Sequence, residues 1–178
     1  MQHCNATGRP HTRKMTLVGP GLPSIVVGAG HAGSEAAGAA AQLGAKTLLI
    51  TMNLEAIAKM SCNPAIGGIG KGHLVKEIDA LGGEMGKVAD ASGIQFRILN
   101  ASRGAATRGS RCQSDYSEYK RVMRKTLENQ LRLAIIEAKV EELLFKRDQV
   151  AGVRTESNEY FAETVIITTG TFLNGLIH

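Results

Sequence analysis

The stretch SIVVGAGHAGSEAAGAAAQLGAKTLLIT, Ser24 to Thr51, limits what this chain can fold into more than any other part of it. A short apolar run, Ile25 to Val27, feeds Gly28-Ala29-Gly30-His31-Ala32-Gly33, then a helix of small residues that stops at Gly44, then a second apolar run from Thr47 to Ile50. That order reads as strand, tight turn, helix and parallel strand. Ala36, Ala37, Ala39, Ala40 and Ala41 have too little bulk for an ordinary amphipathic helix and suit one pressed against a buried parallel sheet. The glycines then have separate physical tasks: Gly28 makes the turn, Gly30 lets backbone approach a pyrophosphate, and Gly33 lets helix and strand touch. The phosphate is expected at the helix N-terminus, where free N–H groups and the helix dipole favour an anion. Gly28, Ala29, Gly30, His31, Ala32 and Gly33 are therefore the expected dinucleotide-binding residues; His31 reads equally as a group near the cofactor and as a polar residue tolerated at a helix start. A simple NAD-binding unit would carry an acid at the end of the second strand for the ribose hydroxyls. Thr51, Met52 and Asn53 stand there instead, with Glu55 the nearest acid.

The rest of the chain completes an α/β pattern. Helices are expected from about Gly72 to Leu81, with Leu74, Val75, Ile78 and Leu81 on one face, and from about Tyr116 to Asn129. LAIIEAKVEELLF, QVAGVRT and EYFAETVIITTG read as strands around turns at Arg147-Asp148 and Ser157-Asn158, a small meander followed by a return strand. Thr169 and Gly170, at the end of that return strand, resemble the element that lies beside the cofactor in two-dinucleotide flavoproteins. The fold expected is thus a glutathione-reductase-type FAD/NAD(P)-binding Rossmann-like fold, a parallel sheet with an inserted β-meander, incomplete at this length. Residues 1–23 read as a disordered basic leader and residues 24–178 as the N-terminal part of the FAD-binding domain.

SCNPAIGGIGKGHLVKEIDALGGEMGK, Ser61 to Lys87, holds a cysteine, an Asn-Pro turn and seven glycines. It is not a phosphate-binding P-loop, because Ala65 stands at the first glycine position and Gly72 where Ser or Thr should follow Gly70-Lys71. Cys62 precedes Asn63-Pro64, so it reads as an accessible thiol at a turn just upstream of a helix start, where a thiolate is favoured. The other reading of any single cysteine is an inert buried side chain.

Composition narrows the class further. With 43% apolar residues and a net charge of +5, the 178-residue chain suits a soluble globular domain. The uncharged run from Met15 to Ser34 is broken by glycines and prolines, so no membrane span is expected. Cys4, Cys62 and Cys112 are odd in number and lack CxxC spacing, so neither a disulfide framework nor a metal site is suggested, and a reducing, cytosol-like compartment fits. The leader carries Arg9, His11, Arg13 and Lys14 and no acid, but no apolar signal region; a mitochondrial transit peptide has little support. Between Arg97 and Lys125 eight basic residues face two acids, either a footprint for a polyanion or a solvated basic surface.

GAGHAGSEAA, MSCNPAIGGIGKGHLVKEIDALGGEMGK, GIQFRILNASRG and TTGTFLNGLIH together resemble the N-terminal part of the MnmG/GidA family of FAD-dependent tRNA-modifying enzymes, over about Ile25 to His178. The folate-dependent tRNA methyltransferase TrmFO shares the glycine loop but does not suggest the long block around Cys62. The resemblance implies an enzyme that works with the GTPase MnmE and uses FAD, NADH and methylenetetrahydrofolate, with glycine or ammonium, to place an aminomethyl-type group on C5 of the wobble uridine. It implies that Cys62 is one of two catalytic cysteines, either a nucleophile to the pyrimidine or a handler of the one-carbon unit, that Gly28 to Gly33 hold FAD, that Val140 contacts the adenine side of FAD, and that the full-length proteins are homodimers in a bacterial-like cytoplasm. Thiolate addition at C6 of uracil would make C5 nucleophilic.

The chain departs from the family pattern at Arg103-Gly104-Ala105-Ala106, where Lys-Gly-Pro-Ala is usual, and at Arg111-Cys112-Gln113, where Arg-Ala-Gln is usual. The missing proline is expected to loosen its loop, and Cys112 is an extra cysteine, not the family's second one. The family's proteins are also several times longer, with the NADH domain, the second cysteine and the MnmE-docking tail beyond the point matched by His178. The complete reaction is therefore not expected of this chain alone. Arg103, Arg108 and Arg111 are the expected tRNA contacts, since arginines can fork onto phosphate oxygens. Two rival readings are a generic FAD/NADH oxidoreductase for small molecules and an inactive nucleotide-binding remnant.

Overall fold

The computed structural model describes residues 22–171 and 173. The two apolar runs flanking the glycine loop form β1 (Leu22–Val27) and β2 (Thr47–Thr51), connected by α1 (His31–Gln42). β1 and β2 pair in parallel from Ser24↔Thr47 to Val27↔Ile50. Leu22 and Pro23, assigned to the leader on sequence grounds, belong to β1; a proline at the start of a strand leaves the ladder intact. The remainder of the proposed leader lies outside the described residues, as do Phe172 and residues 174–178 of the last family-like stretch.

β6 (Leu133–Glu137) adds in parallel to the outer side of β2, and β9 (Glu159–Ile167) in parallel to the other side of β1. β7 (Val140–Lys146), β8 (Gln149–Thr155) and the start of β9 form an antiparallel meander, giving the order β6-β2-β1-β9-β8-β7. The expected meander and return strand are present, but they share one strand: residues 159–161 of β9 pair with β8, while residues 162–167 pair with β1. Arg147 takes a left-handed conformation (φ 55°) at the first turn, and Thr155 and Asn158 close the second through the Thr155 hydroxyl.

Alternation along the strands divides the core. Val26 and Leu49 face α1 and α4 (Tyr116–Asn129), whereas Ile25, Leu48 and Ile50 face the meander residues Val153 and Ala162. α1 buries Gly33, Ser34, Ala37, Gly38 and Ala41, the small residues that let it lie close to its neighbours. In α4, Tyr119, Met123 and Leu127 recur every four residues and are all buried, and Asp115 caps the helix by accepting the Glu118 N–H at 2.7 Å.

A second layer was not foreseen from the sequence. β3 (Ala65–Gly67), β4 (Gly93–Leu99) and β5 (Gly109–Ser114) form an antiparallel sheet in the order β3-β5-β4, packed against α2 (Lys71–Ala80) and α3 (Met85–Ser92). The apolar face expected for α2 is only partly used: Val75 and Ile78 are half-buried, but Leu74 and Leu81 are exposed, and Gly72 is the one fully buried residue of the helix. A Cβ at Gly72 would stand 2.9 Å from the Ser110 carbonyl, so backbone proximity rather than a leucine stripe seats α2. Glu35 of α1 ties this layer to the first by accepting the N–H groups of Glu84 (3.0 Å) and Met85 (2.5 Å), which caps α3 from outside the helix.

Candidate functional site: the glycine loop and its surroundings

The loop after β1 is built from backbone. Gly28 has φ +96°, and a Cβ there would lie 2.5 Å from the Thr168 carbonyl; a Cβ at Gly33 would lie 1.8 Å from the Gly28 carbonyl. Neither position can carry a side chain without moving main chain. Gly30 differs: its φ is −69° and a Cβ built on it meets nothing within 4 Å. It borders open space at the N-terminus of α1, whose first turn carries no acid. The tight turn read at Gly28 and the close helix–strand contact read at Gly33 are both present, and Gly30 borders open space. His31, Ala32 and Gly33 open the helix, and free N–H groups at such a position favour an anion.

Thr168 is the residue of this loop that sequence reasoning missed. Its N–H donates to the Val27 carbonyl at 2.8 Å, and its hydroxyl, with a single proton to donate, lies 2.8 Å from the Val27 and 2.9 Å from the Gly28 carbonyl. Thr169 and Gly170, the expected pair, lie just beyond it, half-buried and exposed respectively. The sequence signal was a Thr-Thr-Gly end to a strand; which threonine turns inward depends on where β9 stops pairing, and it stops at Ile167.

His31 is packed edge-on against Tyr119, with ring centroids 5.8 Å apart and planes at 69°. Its Nδ1 is buried with no hydrogen-bond partner among the described residues, as is the Tyr119 hydroxyl. Burial holds the imidazole below its ordinary pKa, and burial, aided by the Glu35 carboxylate, pushes the Tyr119 phenol up. The ring is thus a neutral wedge between α1 and α4.

Ala58 donates its N–H to the Ala29 carbonyl at 2.8 Å, so the segment after β2 returns to the glycine loop and runs through buried Met60 to Cys62. Cys62 is exposed, as expected of an accessible thiol. The helix-start argument for it does not hold: the chain next enters strand β3, and α2 begins only at Lys71. Cys112 is buried, its thiol directed at the Ala89 carbonyl at 3.3 Å. Val140 opens β7 beside the ends of the parallel strands, half-buried, two residues after Ala138 donates to the Thr51 carbonyl. Glu55, the nearest acid after β2, is engaged by Arg124 at 2.5 Å.

The basic segment from Arg97 to Lys125 divides in two. On α4, Arg121 is paired with Glu118 and Arg124 with Glu128 and Glu55. On the β4–β5 hairpin, Arg97, Arg103, Arg108 and Arg111 form no ion pair among the described residues. Arg103 and Arg108 are exposed in the connecting loop, and Arg111 is half-buried on β5. That loop is tied rather than loosened: Arg108 Nε donates to the Arg103 carbonyl at 3.1 Å, Asn100 Nδ2 to the Thr107 carbonyl at 3.2 Å and the Thr107 hydroxyl to the Gly104 carbonyl at 2.9 Å. Among the described residues no cluster of His, Cys, Asp and Glu could hold a metal, and no helix is long and apolar enough to cross a membrane.

The model of the family described as glucose inhibited division protein A matches residues 23–178. The tRNA uridine 5-carboxymethylaminomethyl modification enzyme MnmG of Geobacter metallireducens is 60% identical over 155 residues, which cover 86% of this chain and 25% of that protein. The Aquifex aeolicus GidA structure, in two crystal forms, is 52% identical with TM-scores of 0.83 and 0.84, over 86% of this chain and 26% of its own. A Bacillus halodurans glycerol-3-phosphate dehydrogenase complexed with FAD shares the fold at 18% identity and a TM-score of 0.58, covering 87% of this chain and 35% of its own. The chain thus spans about a quarter of the length of the MnmG and GidA relatives just named. With its Rossmann-like sheet, glycine cradle and family match over almost its whole length, this chain belongs to the glucose inhibited division protein A family.

Proposed function

We propose that this chain is the FAD-binding portion of a tRNA wobble-uridine C5-modifying enzyme. The observation that carries the reading is the cradle at Gly28, Gly30 and Gly33, where two positions exclude any side chain and the third opens onto a helix N-terminus. Its fit to a pyrophosphate is physical: uncapped N–H groups, no acid in the first turn and no side chain in the way. Ala29, His31, Ala32, Val140, Thr169 and Gly170 complete the proposed cofactor-binding set, and Thr168 positions the loop. FAD held at this cradle would supply electrons for reducing a one-carbon unit. Exposed Cys62 supplies the thiolate: it adds at C6 of the uracil ring, the resulting C5 carbanion bonds to the one-carbon unit, and loss of the C5 proton to a base expels the thiolate and restores the ring. Arg103, Arg108 and Arg111, left without carboxylate partners, contact tRNA phosphates. NADH and methylenetetrahydrofolate as co-substrates, the GTPase MnmE as partner, a homodimer and a bacterial-like cytoplasmic setting belong to the same reading. A small-molecule oxidoreductase is less well supported, because the 60% identity is to a tRNA-modifying enzyme.

The test is reconstitution of the purified chain with FAD, followed by gel filtration and absorbance of the protein peak, and by iodoacetamide labelling with peptide mapping. Flavin should travel with the protein, and Cys62 should be alkylated in the folded chain while Cys112 is protected. A folded chain that holds no flavin, or a protected Cys62, would remove the corresponding part of the reading.

A further inference from the structure

Arg97 and Arg111 stand directly opposite one another across β4 and β5, and Gln95 and Gln113 form the pair two residues along. Side chains alternate between the two faces of a sheet. Cys112, between Arg111 and Gln113, directs its thiol at the Ala89 carbonyl of α3, and its register partners Phe96 and Ile66 share that face. The two arginines and two glutamines therefore leave the other face. On the third strand that face continues with Ala65 and Gly67, which add a methyl group and nothing. α2 and α3, the helices packed on this sheet, lie on the Cys112 side: Ala89 of α3 and Val75 of α2 join the cluster that holds Ile66 and Cys112. Asp79 and Asp90 of these helices border the cleft on that covered side.

The uncovered face thus carries two cations and no acid on any of its paired positions. Like charges at directly opposed positions destabilise an antiparallel pair, and such side chains start only about 4.5–5.5 Å apart. Neither arginine has a carboxylate or any hydrogen-bond partner for its side chain among the described residues, although Arg121, Arg124 and Arg154 each do. An anion that accepts from both guanidinium groups removes the repulsion, and phosphate oxygens suit the planar fork of each. The Gln95 and Gln113 amides can donate alongside. A flat face with no enclosing wall favours a strand over a lone ion. Arg103 and Arg108, on the loop joining the same two strands and also without acidic partners among the described residues, extend the charge beyond the pair.

We infer that Arg97 and Arg111 jointly grip one phosphate of a nucleic-acid strand lying across the helix-free face of the β3-β5-β4 sheet. That the strand is RNA rests on the tRNA-modifying reading; the charge pairing does not. Arg97 thereby joins Arg111 at a single phosphate, and Phe96, on the other face, takes no part.

The test uses the purified chain loaded with FAD and a fluorescein-labelled single-stranded oligouridylate, followed by anisotropy across a salt series. Arg97→Gln and Arg111→Gln should each weaken binding about five- to tenfold and flatten its salt dependence. The double variant should lose less than the product of the two, because both act on one phosphate. Phe96→Leu should bind as the parent does. Arg97→Glu sets a carboxylate opposite Arg111, so it should weaken binding further while raising the urea midpoint of the free chain. A double variant that loses the full product, a Phe96→Leu chain as weak as Arg97→Gln, or an Arg97→Glu chain with a lowered midpoint overturns the shared site. Displacement of the oligomer by inorganic phosphate at equal phosphate concentration would assign the face to a small ion and overturn the strand. Loss of FAD from a folded Arg97→Gln chain would assign the pair to the cofactor and overturn it equally. A chain that holds flavin but binds the oligomer independently of both arginines overturns this inference and leaves the flavin reading standing. Binding through both arginines by a chain that holds no flavin supports it and counts against that reading. Circular dichroism of each variant separates lost binding from lost folding.

Discussion

The glycine-loop end of the parallel sheet and the β3-β5-β4 layer sit in one chain but are built on opposite terms. At the loop, main chain meets main chain: Gly28, Gly33 and Thr168 approach so closely that a single methyl group would collide, and the helices behind them bury Ala37, Tyr119, Met123 and Leu127. In the second layer β4 has no buried residue. Ile94, Phe96 and Ile98 alternate along β4 at 69, 60 and 64% exposure, and the arginines of the hairpin have no acidic partners among the described residues. On the proposed reading, the cofactor is held by backbone whose shape is fixed by packing, while tRNA is met by side chains left without carboxylate partners. A side chain at Gly28 or Gly33 must move main chain, as one at Gly67 must in the second layer, whereas Leu74, Ile94 and Ile98 are exposed and can change without moving it.

The contrast can be broken most severely in the core. Met123→Ala, on the buried face of α4, should destabilise the chain by about 2–5 kcal/mol in urea unfolding, because the residue is fully buried and its loss leaves a cavity. Leu74→Ala, on the exposed side of α2, should change stability by no more than about 0.5 kcal/mol. Equal effects at the two positions would show that the layers are not differently packed.

A smaller effect is expected from pH. His31 is held neutral by burial, with its folded pKa below the ordinary 6.5. The unfolded chain therefore takes up the proton first. The stability associated with neutral His31 is complete above the unfolded value and is lost as pH falls through that value toward the lower folded pKa. The urea midpoint should drop between about pH 7.5 and about pH 5.5, and His31→Asn should flatten that drop. An unchanged slope in the variant would place the pH dependence elsewhere.

What the sequence disclosed follows the same division. The βαβ unit was legible because its constraints are local: three glycines at fixed spacing, an alanine-rich helix and two apolar runs. α4 was legible for a similar reason, its buried positions recurring every four residues behind an Asp cap. β3, β4, β5 and α3 were not. β4 has no buried residue to mark a period, and its pairing joins residues up to 21 positions apart, Gly93 with Ser114. α2 misled because its leucines suggest a core-facing stripe, whereas the helix is seated by a glycine against the Ser110 backbone. Cys62 was recognisable as an accessible thiol, but the strand that follows it was hidden in a glycine-rich stretch. Thr168 was masked by the adjacent Thr169. The Arg97–Arg111 pair is a matter of strand register, which spacing along the chain does not disclose.

The cradle is tested most directly by comparing two glycines three residues apart. Gly30 has open space around its missing side chain and Gly33 has none. Gly30→Val should leave the circular dichroism spectrum and urea midpoint close to those of the parent while flavin retention on gel filtration is lost; Gly33→Val should lose both. A Gly30→Val chain that retains flavin with the parent's affinity would contradict the claim that this loop is the cofactor cradle.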